Sequence, residues 1–142
     1  MIVVPLALEH SCINEIATLE LAAKLAPLWK AGDIVALSGE LGAGKTTFVR
    51  GVLRALGYSE LVRSPTFNLL QEFPTTPPIL HADLYRVAKA TGLGLEDYFS
   101  THLMLVEWPD RLADLLDLDL CWRLDFEFEG EGRKITMRQP LA

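Results

Sequence analysis

Long apolar runs and a secretion-type leader are both missing from this sequence. No apolar run approaches the ~20 residues that are needed to span a bilayer. The N-terminus also has no basic segment followed by a long apolar one, which is the pattern of a secretion signal. We therefore expect a cytoplasmic protein that has no membrane partner.

Cysteine and positive charge are scarce as well. Cys12 and Cys121 lie far apart and lack C-x-x-C spacing, which favours buried free thiols over a disulfide or a metal site. The 13 basic residues are outnumbered by 19 acidic ones, so the net charge is −6. Binding to a nucleic-acid backbone requires clustered cations, and we expect any contact with RNA to be indirect, through a protein partner.

The length and composition predict one globular domain that spans residues 1–142. Half of the residues (50%) are apolar and 23% are charged, which is typical of folded chains and not of disordered ones. No internal repeat, low-complexity tract or linker marks a second domain.

The most informative stretch is residues 39–46, with the sequence GELGAGKT, which satisfies G-x-x-x-x-G-K-[S/T] at every fixed position. Gly42 and Gly44 permit positive φ, so that successive backbone N–H groups can point inward at a polyanion. Lys45 adds a mobile positive charge for the outer phosphates, and Thr46 supplies a hydroxyl for a magnesium ion that bridges them.

The flanking residues fit a buried strand before this loop and a helix after it. Residues 34–37 form a continuous apolar run, and residues 46–56 carry apolar side chains at helical spacing up to a stop signal at Gly57. Phosphates would then lie at a helix N-terminus, where unpaired N–H groups and the helix dipole favour negative charge. The sequence predicts a nucleoside triphosphate site here, not a chance glycine-rich turn.

Two further apolar runs each end in a carboxylate. Residues 79–83 end at Asp83, and residues 103–107 end at Glu107. In an open α/β sheet, ligands lie beyond the carboxyl ends of the strands, which would place both acids at the same edge as Lys45. Glu107 has the Walker-B-like position and is a candidate to bind magnesium or its water, or to act as general base. Asp83 could instead be a helix cap or a partner for Arg86.

The roles of three other residues stay open on the sequence alone. Trp108 directly follows the second acid, and its ring could serve the site or pack on the next helix. His81 is interpreted as a core or edge histidine, because no second His or Cys lies at metal-binding spacing. Thr66 lies in residues 62–67, which Pro65 stiffens; this segment could sense a γ-phosphate or be a plain loop that enters a strand.

The remaining patterns outline the fold. Residues 2–8 predict an edge strand, Ser11 a helix N-cap, residues 13–29 a long amphipathic helix and residues 110–116 another helix. Alternation in residues 122–138 predicts a hairpin. Together these elements predict an α/β fold of the P-loop NTPase type, a three-layer sandwich with a mostly parallel central sheet and a C-terminal antiparallel hairpin.

Four motifs resemble those of the TsaE (YjeE) family in order and spacing. They are GELGAGKTTFVRG at 39–51, SPTF at 64–67, HADLYR at 81–86 and EWP at 107–109. The resemblance, which covers nearly the whole chain, implies a small bacterial P-loop ATPase required for threonylcarbamoyladenosine formation at position 37 of tRNAs that read codons beginning with A. It also implies that the chain acts with TsaB and TsaD, and we expect a monomer when it is alone.

The resemblance implies roles for individual residues. Magnesium would be bound by Thr46 and Glu107, with Asp83 beside the phosphates as a further candidate magnesium ligand. Lys45 and the two acids would serve catalysis. Trp108 resembles the family's required tryptophan after the acid, and Arg133, after the hairpin turn, would contact the nucleotide. The loop residues that would hold ATP are Gly39, Glu40, Leu41, Gly42, Ala43, Gly44, Lys45, Thr46 and Thr47.

Two other functions stay open. A small-molecule kinase usually carries an acceptor-binding segment and an arginine-bearing lid, whereas residues 87–100, the only segment available, contain no arginine. A nucleotide-dependent assembly module would bind ATP with negligible hydrolysis. A GTPase is disfavoured because no N-K-x-D sequence occurs. No arginine finger is obvious in the loop region, so we expect slow Mg-dependent hydrolysis by the chain alone and faster hydrolysis when TsaB and TsaD dock.

Overall fold

A single mixed sheet organises residues 8–60 and 69–141, the part of the chain that the computed structural model describes. Its strands are β1 Leu8–Cys12, β2 Ile34–Gly39, β3 Leu70–Phe73, β4 Ile79–Asp83, β5 Leu103–Glu107, β6 Trp122–Glu129 and β7 Gly132–Arg138. The α-helices of the described ranges are α1 Glu15–Leu25 and α2 Lys45–Ala55. Short 3-10 helices cover Ala26–Leu28, Leu95–Tyr98, Pro109–Leu112 and Leu118–Leu120.

The strand order is β1-β7-β6-β2-β5-β4-β3. The four strands β6, β2, β5 and β4 are parallel to one another, but the β1–β7, β6–β7 and β3–β4 pairings are antiparallel. The prediction of a mostly parallel sheet is therefore right for the four central strands and wrong for the sheet as a whole. Connection length explains two of these pairings, since β3–β4 and β6–β7 are joined by segments too short for a parallel crossover.

The two faces of the sheet are covered differently. Helices α1 and α2 pack on one face, where Trp29, Phe48 and Leu37 belong to the same buried cluster. The other face is covered by loops and 3-10 turns, with Leu84 and Leu112 in its buried cluster. The predicted three-layer sandwich thus has, within the described ranges, α-helices in one outer layer only.

The helix predicted at residues 110–116 is wrong in type and extent. A 3-10 helix covers Pro109–Leu112, and the carboxylate of Asp114 accepts hydrogen bonds from the backbone N–H groups of Ala90 and Thr91. This side chain ties residues 113–116 to the facing loop, and the chain continues in turns instead of an α-helix.

Three more predictions differ from the structure near the start of the chain. Of the predicted edge strand only Leu8 lies within the described residues, and β1 continues past it to Cys12, so Ser11 lies in a strand and is not a cap. Asn14 caps α1 instead, because its Oδ1 accepts a hydrogen bond from Ala17 N at 2.9 Å. The α-helix ends at Leu25, short of residue 29, since Pro27 lacks the N–H group that would continue it.

Helices α1 and α2 pack closely against each other at Gly51. A Cβ atom added at Gly51 would lie 2.6 Å from the Cβ of Ala22, so glycine lets α1 and α2 approach closely.

Cys12 and Cys121 are both buried and free, which confirms the prediction of buried free thiols. None of the helices in the described ranges has the length and apolarity to cross a membrane.

Candidate functional site

The glycine-rich loop connects the end of β2 to the start of α2. Gly39, Gly42 and Gly44 have φ values of +150°, +79° and +100°, which side-chain-bearing residues rarely adopt. A Cβ atom at Gly39 would also lie 2.7 Å from the carbonyl oxygen of Phe126 on β6. Gly44 is the N-cap of α2 and makes no side-chain cap bond. The first N–H groups of α2 are thus directed at the loop, where an anion would be stabilised.

Lys45 is the first residue of α2, and its side chain is folded into the site. Only 4% of the residue is exposed, and Nζ donates a hydrogen bond to Gly39 O at 2.6 Å. The same Nζ lies 4.1 Å from the centroid of the Trp108 ring. Burial lowers the pKa of Lys45, and the charges of Glu107 and Asp83 partly oppose that shift. The site therefore holds a poorly solvated ammonium that would gain from an anionic ligand.

The two acids meet at the edge where the loop lies. Asp83 and Glu107 end the neighbouring parallel strands β4 and β5 and are register partners. Thr46 Oγ1 donates a hydrogen bond to Glu107 Oε2 at 3.3 Å, so the loop hydroxyl and this acid touch directly. Asp83 is more open, and its Oδ1 accepts a hydrogen bond from Tyr85 N at 3.1 Å.

His81 also belongs to this group of side chains. Its contact with Glu107 was not predicted from the sequence. Its ring Nε2 lies 2.6 Å from Glu107 Oε2, and the residue is completely buried. The signal that could have found it is the two-residue period of a strand, which places residue 81 on the same face of β4 as Asp83. The interpretation of His81 as a core histidine is right about burial but omits its bond to the candidate metal ligand.

Trp108 has a backbone conformation that few residues adopt. Its φ is 60° and its ψ 57°, and in residues 8–60 and 69–141 it is the one non-glycine residue with positive φ. Its ring packs against Tyr85 with centroids 4.8 Å apart and lies under Lys45 Nζ. It also borders the buried cluster of the second face. The ring thus contacts Lys45 and also packs against its neighbours, and its role in nucleotide binding stays a prediction.

Arg133 reaches the loop from the start of β7. Its Nε donates to Ala43 O at 3.1 Å and its Nη2 to Gly42 O at 3.0 Å, while Nη1 donates to Gly132 O at 2.8 Å. These bonds hold the loop against the β6–β7 turn, and the contact of Arg133 with a nucleotide stays a prediction.

The other loop residues are at the surface or beside a cavity. Glu40 and Leu41 are exposed, and Thr47 is half-buried. An open cavity of about 490 Å³ lies between the loop and the start of α1, lined by Asn14, Thr18 and Thr47 among others. Thr66 lies outside the described residues.

These residues fit a magnesium ion that is held jointly with phosphates. A hydroxyl and two carboxylates are the oxygen donors that Mg²⁺ takes, and it usually keeps waters and phosphate oxygens as its other ligands. No group of three or more His, Cys, Asp or Glu that could hold a metal occurs in residues 8–60 and 69–141.

A strand, a glycine loop and a helix that starts with Lys-Thr, with acids at the ends of neighbouring strands, define a P-loop-type protein. The model of the family described as "Threonylcarbamoyl adenosine biosynthesis protein TsaE" matches residues 12–136. The chain belongs to the TsaE family, whose role is in tRNA threonylcarbamoyladenosine biosynthesis.

Individual relatives agree with the family match. The chain is 43% identical over 127 residues to the tRNA threonylcarbamoyladenosine biosynthesis protein TsaE of Rickettsia felis, covering 86% of this chain and 74% of that protein. It is 40% identical over 114 residues to TsaE of Streptomyces coelicolor, covering 75% and 77%. The crystal structure of YdiB from Bacillus subtilis superimposes with a TM-score of 0.83 at 30% identity, covering 97% of this chain and 88% of that one.

Proposed function

We propose that this chain binds Mg–ATP and hydrolyses it slowly, and that TsaB and TsaD accelerate the hydrolysis during threonylcarbamoyladenosine formation on tRNA. The observation that carries the proposal is the contact of Thr46 with Glu107 beside the buried ammonium of Lys45. A hydroxyl, a carboxylate and a lysine in this arrangement are the parts that hold the outer phosphates and their magnesium in P-loop hydrolases.

The loop would bind the triphosphate through backbone N–H groups and Lys45. In the structure Lys45 Nζ donates to Gly39 O, and a phosphate oxygen would be a stronger, charged acceptor for it. The cavity of about 490 Å³ beside the loop has a size typical of small-molecule sites and would take the nucleoside. Asn14 and Thr18 would supply polar contacts there.

The two acids, Glu107 and Asp83, would have different roles in hydrolysis. Glu107 touches Thr46, which supports a role for both at magnesium; the ion would offset charge on the phosphates. Asp83 stands at the end of the neighbouring strand and is more open to solvent, which supports a role in orienting the attacking water. Catalysis by the chain would thus consist of positioning and charge stabilisation.

The hydrogen bonds of Arg133 support slow turnover by the chain alone. Arg133 directs three donors at backbone carbonyls, so it does not offer its charge freely to a γ-phosphate. An arginine supplied in trans accelerates related hydrolases by about 10³- to 10⁵-fold. We infer that docking of TsaB and TsaD supplies or rearranges such a charge.

Phosphate release from Mg–ATP tests the proposal directly. We expect slow release by the chain alone, clear acceleration by TsaB and TsaD, and loss of both in Glu107→Gln. Glu72→Gln is a matched control, because Glu72 is also paired with a histidine but lies in the exposed part of the sheet. A rate that the partners do not raise would contradict the proposal, and transfer of phosphate to a small acceptor would favour a kinase.

A further inference from the structure

We propose that His81 is a positioning residue, which fixes the carboxylate of Glu107 so that one defined oxygen is left for magnesium or its bound water. The inference rests on the proposed Mg–ATP function and extends it to a residue that is outside the phosphate loop. Its basis is the 2.6 Å contact between His81 Nε2 and Glu107 Oε2, in which the histidine is fully buried and the glutamate is 4% exposed.

The sheet brings these two side chains together. His81 is paired in register with Leu105, and Asp83 with Glu107, on adjacent parallel strands. Because side chains alternate along a strand, residues 81 and 107 point to the same face and lie diagonally opposite each other. That face also carries α2, so Thr46 approaches Glu107 from above while His81 approaches along the sheet.

The direction of the hydrogen bond follows from the acceptor. When the carboxylate is ionised it can only accept, so Nε2–H is the donor of the hydrogen bond to Oε2. The other ring nitrogen, Nδ1, is buried and has no hydrogen-bond partner among the described residues. The bond to Glu107 is therefore the polar contact that orients the ring, and a buried donor–carboxylate bond of this length is a strong one.

The two oxygens of Glu107 are consequently unequal. Oε2 accepts from both His81 Nε2 and Thr46 Oγ1, whereas Oε1 has no donor in residues 8–60 and 69–141. A carboxylate held at one oxygen keeps one side-chain conformation and presents the other oxygen to the site. Hydrogen-bonding partners of metal ligands commonly orient them in this way, and their loss weakens metal affinity.

A matched pair elsewhere in the chain separates this role from simple packing. His102 Nε2 lies 2.7 Å from Glu72 Oε1, which is nearly the same contact as in the site. This pair is at the surface, where Glu72 is largely exposed. Removal of the His102 donor therefore changes an equivalent bond without touching Glu107.

The test uses Mn²⁺ as a paramagnetic probe for magnesium and ADP as the nucleotide. Mn²⁺ affinity is measured by electron paramagnetic resonance on the ADP complexes of the full chain, and ADP affinity is measured separately in EDTA. For His81→Leu we expect unchanged ADP binding in EDTA and Mn²⁺ binding weakened about 10- to 100-fold. His81→Gln, whose amide can donate from a similar position, should restore most of the affinity, and His102→Leu should match the wild type.

Two outcomes would overturn the inference. His81→Leu with wild-type Mn²⁺ affinity would show that the ring only fills the core. If the leucine variant does not fold, the Gln and Asn variants decide, since both are amides but the shorter Asn does not reach Oε2; equal Mn²⁺ affinities for the two would also overturn it. A wild-type chain that binds neither ADP nor Mn²⁺–ADP would contradict the proposed function itself, which is a distinct result.

Discussion

Replacement of Lys45 by methionine isolates the contribution of one charge to nucleotide binding. Methionine keeps the unbranched apolar stem of this residue, which is 4% exposed, and removes the ammonium. The variant loses the bond to Gly39 O, about 1.5–3 kcal/mol for a charged donor, but it also loses a charge that burial disfavours. These effects oppose each other, so we expect the free energy of unfolding without nucleotide to change by about 1 kcal/mol or less.

The effect on ATP binding should be much larger. At a ligand concentration of about 100 Kd, binding stabilises the wild type by about 2.7 kcal/mol. The loss of a charged phosphate contact worth about 2 kcal/mol raises Kd about 30-fold, which leaves about 0.9 kcal/mol at the same concentration. A domain of this size gains about 3–4 °C per kcal/mol. The expected shift in Tm is thus about 9 °C for the wild type and about 3 °C for Lys45→Met.

Thermal unfolding with and without Mg–ATP measures both quantities. Lys24→Met is the matched control, because Lys24 is an exposed lysine in the last turn of α1 and should keep the full shift. An ATP-induced shift in Lys45→Met equal to that of the wild type would refute the assignment of this lysine to the phosphates.

Three further results are expected. Burial raises the pKa of the Cys121 thiol from 9.0 to about 11, so the folded chain keeps a proton that the unfolded chain loses. The free energy of unfolding should therefore fall between these pKa values, by up to about 1.4 kcal/mol per pH unit, and urea titrations of Cys121→Ala should show a flatter decline. Gly51→Ala puts a methyl group 2.6 Å from Ala22 Cβ and should cost about 1–3 kcal/mol in urea unfolding; an unchanged midpoint would show that α1 and α2 separate freely. Arg133→Ala removes two bonds to loop carbonyls and should weaken ATP binding about 10-fold by calorimetry, whereas wild-type affinity would mean that the loop holds its shape alone.

The loop and the two acids could be predicted because their chemistry requires fixed residue types at positions that can be recognised in the sequence. The phosphate loop is continuous in sequence, and strand ends that carry acids converge at one edge of a parallel sheet. The structure brings Lys45, Thr46, Asp83 and Glu107 together there, as the sequence indicates.

The rest depends on contacts between distant segments, which local patterns do not encode. His81 meets Glu107 across 26 positions of sequence, and Arg133 meets Ala43 across 90. Ser11 and Asn14 are both good caps by type, and the extent of β1, set by its pairing with β7, decides between them. The antiparallel edges of the sheet likewise follow from short connections and edge pairing and not from the apolar pattern of each strand.

The most direct test of the central claim compares wild type with Glu107→Gln in sustained threonylcarbamoyladenosine formation on tRNA. The reaction contains TsaB, TsaD, the threonylcarbamoyl donor and excess Mg–ATP, and modified tRNA is counted per TsaD together with the phosphate released. We predict repeated turnovers with the wild type and, with the variant, loss of both phosphate release and repeated modification. A variant that releases no phosphate yet sustains wild-type modification would contradict the account and identify the chain as a nucleotide-dependent assembly module.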